Sequence, residues 1–125
     1  MTKSLAPVRS DNYSIEATEH RNRLTVVLTG TFDMSAVQDL QSFLSHVRQE
    51  VEATNPTHLD VNVSAVYFLG SSCIKAFVSL TAAMKVLPKR PKLTIVTSAR
   101  LDWQGRTFAV LARLAPEIVT IERAP

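Results

Sequence analysis

The stretch that decides the fold reads Val61-Asn62-Val63-Ser64-Ala65-Val66-Tyr67-Phe68-Leu69-Gly70-Ser71-Ser72-Cys73-Ile74-Lys75-Ala76-Phe77. From Val61 to Ala65 apolar residues occupy every second position, which is typical of a β-strand. A bulky apolar run and a glycine follow, and from Ile74 to Val78 the apolar spacing becomes helical. The pattern therefore predicts a strand that turns tightly into a helix beginning at Ser71 and Ser72.

The two hydroxyl residues at this junction have two compatible uses. Serine at a helix start caps free backbone N–H groups. The same N–H groups and the helix dipole favour a nearby anion such as a phosphate. A hydroxyl that caps the helix would therefore already lie at an anion site.

Length and composition describe one ordinary globular domain. The chain has 125 residues, of which 46% are hydrophobic and 20% charged, enough for a proper core. No apolar run approaches the ~18 residues of a membrane span, and the first twelve residues lack a signal-peptide core. The single cysteine excludes an internal disulfide and fits a reducing compartment. We therefore expect a cytoplasmic protein.

Several kinds of chemistry find no support in the sequence. The net charge is only +3, and the basic cluster from Lys85 to Lys92 lacks the aromatic residues that stack on nucleic-acid bases. The three histidines share no metal-ligand spacing. Cys73 has no evident base to make it a nucleophile, and no glycine-rich cofactor loop is present. The sequence predicts no catalytic residue, metal or cofactor, and no direct binding of nucleic acid.

The hydrophobic periodicity of the whole chain predicts five strands and three helices. The strands cover residues 13–18, 24–29, 59–66, 92–97 and 118–121, and the helices cover 34–51, 71–87 and 102–114. Residues 1–12 are expected to form a flexible N-terminal arm, and residues 13–123 one domain. The order β-β-α-β-α-β-α-β predicts an α/β fold: a mixed β-sheet with parallel interior strands, three main helices, and the first strand antiparallel at or near an edge.

Two motifs resemble the STAS domain, the fold of bacterial anti-anti-sigma factors, also called anti-sigma factor antagonists. Leu28-Thr29-Gly30-Thr31-Phe32-Asp33 is similar to the family's strand-turn pattern, apolar-x-Gly-x-x-Asp. Val61 to Ile74 resembles its signature, in which a strand and Phe-apolar lead through Asp-Ser-Ser/Thr-Gly into a helix. The resemblance covers roughly residues 13–123. It implies that a partner kinase, often an anti-sigma factor, phosphorylates the first hydroxyl residue, which is Ser71 here, with Ser72 as second choice.

The signature departs from the family at two positions, because Gly70 replaces the Asp and Cys73 replaces the Gly. Losing the Asp removes a carboxylate near the phosphoacceptor, and Gly70 is expected to supply a positive φ for the turn. Ser71 to Ala76 also resembles the Thr-Ser-Ser-Ile-Lys-Ala stretch of a related phosphoprotein family that controls cyclic-di-GMP synthesis. In that alignment the phosphorylated residue again falls on Ser71.

The resemblance implies a non-enzymatic signalling module that switches partners by phosphorylation. The implied partners are a serine kinase or anti-sigma factor of GHKL type and a PP2C-type phosphatase, and the module is expected to be a monomer or weak dimer. The expected partner-binding residues are Asp33, Gly70, Ser72, Cys73 and Lys75. Asp33 is equally readable as a helix cap alone, and Lys75 as a solvent-facing side chain. Two alternatives stay open: a structural STAS subunit of a signalling or transport complex, and an activator of a cyclic-di-GMP-synthesising enzyme.

Overall fold

The computed structural model describes residues 5–125, which form six strands and three α-helices. The strands are β1 (Val8–Arg9), β2 (Tyr13–His20), β3 (Arg23–Phe32), β4 (His58–Leu69), β5 (Lys92–Ser98) and β6 (Val119–Ala124). The helices are α1 (Val37–Thr54), α2 (Ser71–Lys85) and α3 (Asp102–Leu114), with a short 3-10 turn over Met34–Ala36 before α1. Within the described part of the chain, no helix is long and apolar enough to cross a membrane.

The six strands lie in the sheet in the same order as in the chain. β1, β2 and β3 pair antiparallel, and β3 to β6 pair parallel. Three successive right-handed crossovers in one direction place their helices on one face of a sheet, and α2 accordingly packs against both α1 and α3. The predicted mixed sheet with parallel interior strands and three main helices is confirmed, and β2, the predicted first strand, lies second from the edge.

The core lies between the sheet and this single helical layer. Along β4 and β5, alternate residues face the helices, and Val61, Val63, Leu93 and Ile95 are at most 1% exposed. Residues between them, such as Asn62, are only half-buried, so the other face of the sheet is mostly polar and solvated. The Phe77 and Phe108 rings meet edge to face with centroids 5.3 Å apart, which joins α2 to α3.

Part of the predicted N-terminal arm is ordered. Val8 pairs with Ile15 across β1 and β2, and Leu5 is buried in the core. A strand of two residues is too short to show the alternation from which strands are predicted. The rest of the arm, residues 1–4, lies outside the described residues.

Two strands run further than predicted, and this brings the functional motifs together. Residues 30–32 lie beyond the predicted end of their strand at residue 29 but belong to β3, which stays paired with β4 as far as Phe32 and Leu69. Gly30 has a φ of +107°, and a Cβ there would lie 2.2 Å from the Asn12 carbonyl oxygen. This position therefore requires glycine.

Candidate functional site

The strand-to-helix junction at Gly70 forms without a side-chain cap. Gly70 is the N-cap of α2, with extended backbone at φ −70° and ψ 160°, so the expected positive φ is wrong. The Gly70 carbonyl accepts hydrogen bonds from the N–H groups of Cys73 and Ile74 at 3.0 and 3.1 Å. Its own N–H donates to the Phe32 carbonyl at 2.9 Å, which ties the junction to the end of β3.

The expected capping by Ser71 and Ser72 is also wrong, because they are the first two residues inside the helix. A capping side chain belongs to the residue that precedes the first helical residue, from where it accepts hydrogen bonds from the free N–H groups of the first turn. Ser71 is exposed and Ser72 is half-buried. Within the described part of the chain the Ser71 hydroxyl makes no hydrogen bond.

Asp33, one of the expected partner-binding residues, lies beside this junction. The Cys73 sulfur is 3.6 Å from the Asp33 carbonyl oxygen, and a Cβ at Gly70 would lie 4.0 Å from the Asp33 Cα. The Asp33 carboxylate caps the turn before α1, accepting from the Ser35 hydroxyl at 2.6 Å and the Ser35 N–H at 2.9 Å. These hydrogen bonds lower the pKa of Asp33, so a negative charge persists here at neutral pH.

Cys73 points into the protein, not toward a partner. Its side chain is 1% exposed, and its thiol faces the Asp33 carbonyl. Burial, and to a lesser extent the Asp33 charge, raise the pKa of the thiol. A protonated, enclosed thiol is a poor nucleophile, and the side chain contacts the Asp33 backbone.

Lys75 is exposed one turn beyond Ser71 on α2, where residues four apart share a helix face. The structure thus brings Asp33, Gly70, Ser71, Ser72 and Lys75 to one end of the molecule. Among the described residues, no group of three or more His, Cys, Asp or Glu side chains could hold a metal.

Three large apolar side chains at this end were not predicted as surface residues. Met34 is 84%, Tyr67 65% and Phe68 52% exposed, and the Phe68 ring lies 3.9 Å from where a Gly70 Cβ would be. Tyr67 and Phe68 belong to the bulky apolar run that follows the predicted strand, and the sequence pattern assigned that run to neither face. Tyr67 and Phe68 are consecutive and both exposed, because the register of β3 and β4 shifts between the Gly30–Val66 and Thr31–Phe68 pairs. Simple strand alternation could have indicated one exposed side chain here but not two in a row.

Comparison with solved structures assigns the fold class: the chain has the fold of STAS-domain anti-sigma factor antagonists. A structure of an anti-sigma factor antagonist from Mycobacterium paratuberculosis aligns with 91% of this chain and 88% of its own, at 19% identity and a TM-score of 0.68. The anti-sigma factor antagonist SpoIIAA in its unphosphorylated form covers 89% of this chain and 87% of its own, at 12% identity and a TM-score of 0.57.

A third structure shows a phosphorylated protein with this fold. It is the Bacillus cell fate determinant SpoIIAA in its phosphorylated form, which aligns with 86% of this chain and 89% of its own at 15% identity and a TM-score of 0.56. No protein-family model matches the chain, and no curated protein is significantly similar to it in sequence. The similarity to these solved structures therefore establishes the fold of the chain.

Proposed function

We propose that this chain is a cytoplasmic, non-enzymatic signalling module that switches partners through phosphorylation of Ser71. Unphosphorylated, it binds a serine kinase or anti-sigma factor of GHKL type; phosphorylated, it releases that partner until a PP2C-type phosphatase removes the phosphate. The observation that carries the proposal is the exposed hydroxyl of Ser71 on the first turn of α2, which forms no hydrogen bond with any described residue. Its location in a fold shared with SpoIIAA, a protein solved in both phosphorylation states, supports it.

The backbone around Ser71 suits a phosphate. In the described hydrogen bonds, the N–H groups of Ser71 and Ser72 have no acceptor, whereas those of Cys73 and Ile74 bond to Gly70. Free N–H groups at the positive end of a helix stabilise an anion held nearby. Ser71 is preferred over Ser72 because the Ser72 side chain is half-buried.

Phosphorylation can release a partner without refolding the domain. A phosphoserine adds roughly 1.5 to 2 negative charges at neutral pH, here beside the ionised Asp33. A shift from mostly bound to mostly free partner requires about 5.5 kcal/mol of differential affinity. Desolvating or repelling that charge in an interface is an effect of the right size.

The test is to react the purified chain with ATP and each GHKL-type kinase of its source organism, and to locate the phosphate by mass spectrometry. We expect one phosphate on Ser71, loss of the reaction in Ser71→Ala, and retention in the matched control Ser72→Ala. Phosphate on Ser72 with Ser71 unmodified would overturn the site. A chain that co-purifies with its partner and is indifferent to ATP would instead favour a constitutive subunit.

A further inference from the structure

A groove of about 290 Å³ separates α1 from α2 on the outer side of the helical layer. The side chains that form its base are apolar and buried: Leu44, Ala76 and Leu80. Its exposed rim is polar and consists of Gln41, Ser45, Arg48, Lys75 and Ser79. An apolar base with a polar rim between two neighbouring helices is suited to an amphipathic helix.

The groove carries positive charge that no acidic side chain among the described residues neutralises. Arg48 and Lys75 line it from opposite helices, and neither forms an ion pair or hydrogen bond within the described part of the chain. None of the described residues lining the groove is acidic. The groove therefore presents two positive charges above an apolar base, and its complement is apolar on one side and negative at the edges.

We propose that the α1–α2 groove is the docking site for an acidic amphipathic helix of the partner protein. Apolar side chains of that helix lie on Leu44, Ala76 and Leu80, and its carboxylates pair with Arg48 and Lys75. This inference rests on the proposed function, because it states which surface the partner uses and how phosphorylation acts on it. Because the groove is lined by exposed side chains from both helices, it favours a protein segment over a small molecule that needs an enclosed pocket.

The position of the groove explains the direction of the switch. Ser71 precedes Lys75 by one helical turn, about 6 Å along the axis. A phosphate on Ser71 would compete with the partner's carboxylates for Lys75 and would repel the acidic helix. Phosphorylation then weakens binding electrostatically while α1 and α2 keep their positions.

The closing experiment titrates the kinase that phosphorylates the chain against unphosphorylated wild type and four variants by calorimetry. Arg48→Glu and Lys75→Glu should each weaken binding about tenfold or more. Ser79→Trp fills the groove without changing its charge and should weaken binding to a similar extent. The matched control is Arg106→Glu, an equal charge reversal at an exposed position of α3, which should leave Kd within about twofold.

Each outcome has one meaning. If Arg48→Glu and Ser79→Trp bind like wild type while phosphorylation still releases the kinase, the groove is not the docking site and the proposed function stands. If Arg106→Glu weakens binding as much as Arg48→Glu, the effect is general charge attraction and the groove proposal fails. If wild type binds none of the kinases, the proposed function and the groove assignment fail together. Circular-dichroism melts of every variant exclude unfolding as the cause.

Discussion

At the residue scale, Gln104 has a structural task that no motif indicated. β4 and β5 pair only as far as Asn62 and Val96, and beyond that point β4 needs other partners. The fully buried Gln104 Nε2 donates to the Val63 and Val66 carbonyls at 2.8 Å each, and its Oε1 accepts from the Ser98 N–H at 2.7 Å. One amide thus satisfies three backbone groups where the two strands separate.

Gln104→Leu should therefore destabilise the fold by about 3 kcal/mol, because it leaves those backbone groups buried without partners. Urea denaturation measures the change, and the control is Gln49→Leu at an exposed position of α1. Equal urea midpoints for Gln104→Leu and Gln49→Leu would mean that water replaces the Gln104 amide without loss of folding free energy.

Ser71 substitutions should separate stability from binding. Since Ser71 does not cap α2, Ser71→Ala should leave stability nearly unchanged, whereas Ser71→Asp should gain about 0.3–1 kcal/mol from the helix dipole. Partner binding should follow the opposite order, because the aspartate brings charge into the interface. Thermal melts measure the order of stability, and calorimetry measures the order of binding. If Ser71→Asp binds the partner as tightly as Ser71→Ala, the charge switch is contradicted unless the phosphorylated wild-type protein fails to bind. In that case one carboxylate is too weak a mimic of the phosphate.

At the element scale, helix α1 contains a buried carboxyl group, Glu50, whose ionisation lowers the stability of the fold. Glu50 is 6% exposed, and one of its carboxylate oxygens has no hydrogen-bond partner among residues 5–125. Burial and, after it, the Glu19 carboxyl raise the pKa of Glu50 above its ordinary value of 4.5. The folded state therefore holds this proton more tightly than the unfolded state, so the contribution to stability is present below pH 4.5 and is lost as pH rises through the raised pKa.

Glu50→Gln should accordingly flatten the fall in stability above pH 4.5 and leave the variant more stable than wild type at neutral pH. The measurement is the free energy of unfolding in urea across that range, with the exposed Glu52→Gln on the same helix as control. If the free energy of unfolding depends on pH identically in wild type and Glu50→Gln, then ionising Glu50 in the folded state does not reduce stability.

The elements differ in how far their sequences predict them. Helix α3 has the predicted bounds of Asp102–Leu114, and its later apolar residues Phe108, Leu111 and Leu114 follow the helical spacing of three. β3 and β4 extend further because their ends pair with each other, a tertiary effect that local patterns do not contain. The helix start at Ser71 was predicted, but its cap was not, since the Gly70 backbone supplies the first acceptor and no side chain is needed.

At the scale of the whole molecule, the sheet is covered by helices on one face only, and its two faces should respond differently to the same substitution. Val63 is fully buried toward the helices, so Val63→Ala should cost about 1–3 kcal/mol. Val27 is half-buried on the polar face, so Val27→Ala should cost clearly less. Guanidinium denaturation of the two variants measures the difference, and equal losses would contradict a one-sided core.

Two short sequence motifs made the site around Ser71 predictable, whereas no sequence motif indicated the groove between α1 and α2. Asp33 and Ser71 stand in recognisable patterns, so their meeting at the ends of β3 and β4 could be predicted. Arg48 and Lys75 are ordinary exposed cations in the sequence, and only the packing of α1 beside α2 gives them a common groove.

The strand order has a consequence for biosynthesis. Every strand after the first pairs with the strand made just before it, so no position in the sheet has to be kept open for a segment still inside the ribosome. Each newly emerged helix–strand unit from α1 onward can add to an existing edge, and closing each such unit involves only the single helix-containing connection between two neighbouring strands. Assembly can therefore keep pace with translation from the N-terminal end, and the segment carrying Ser71 emerges when β3 is already available to receive β4.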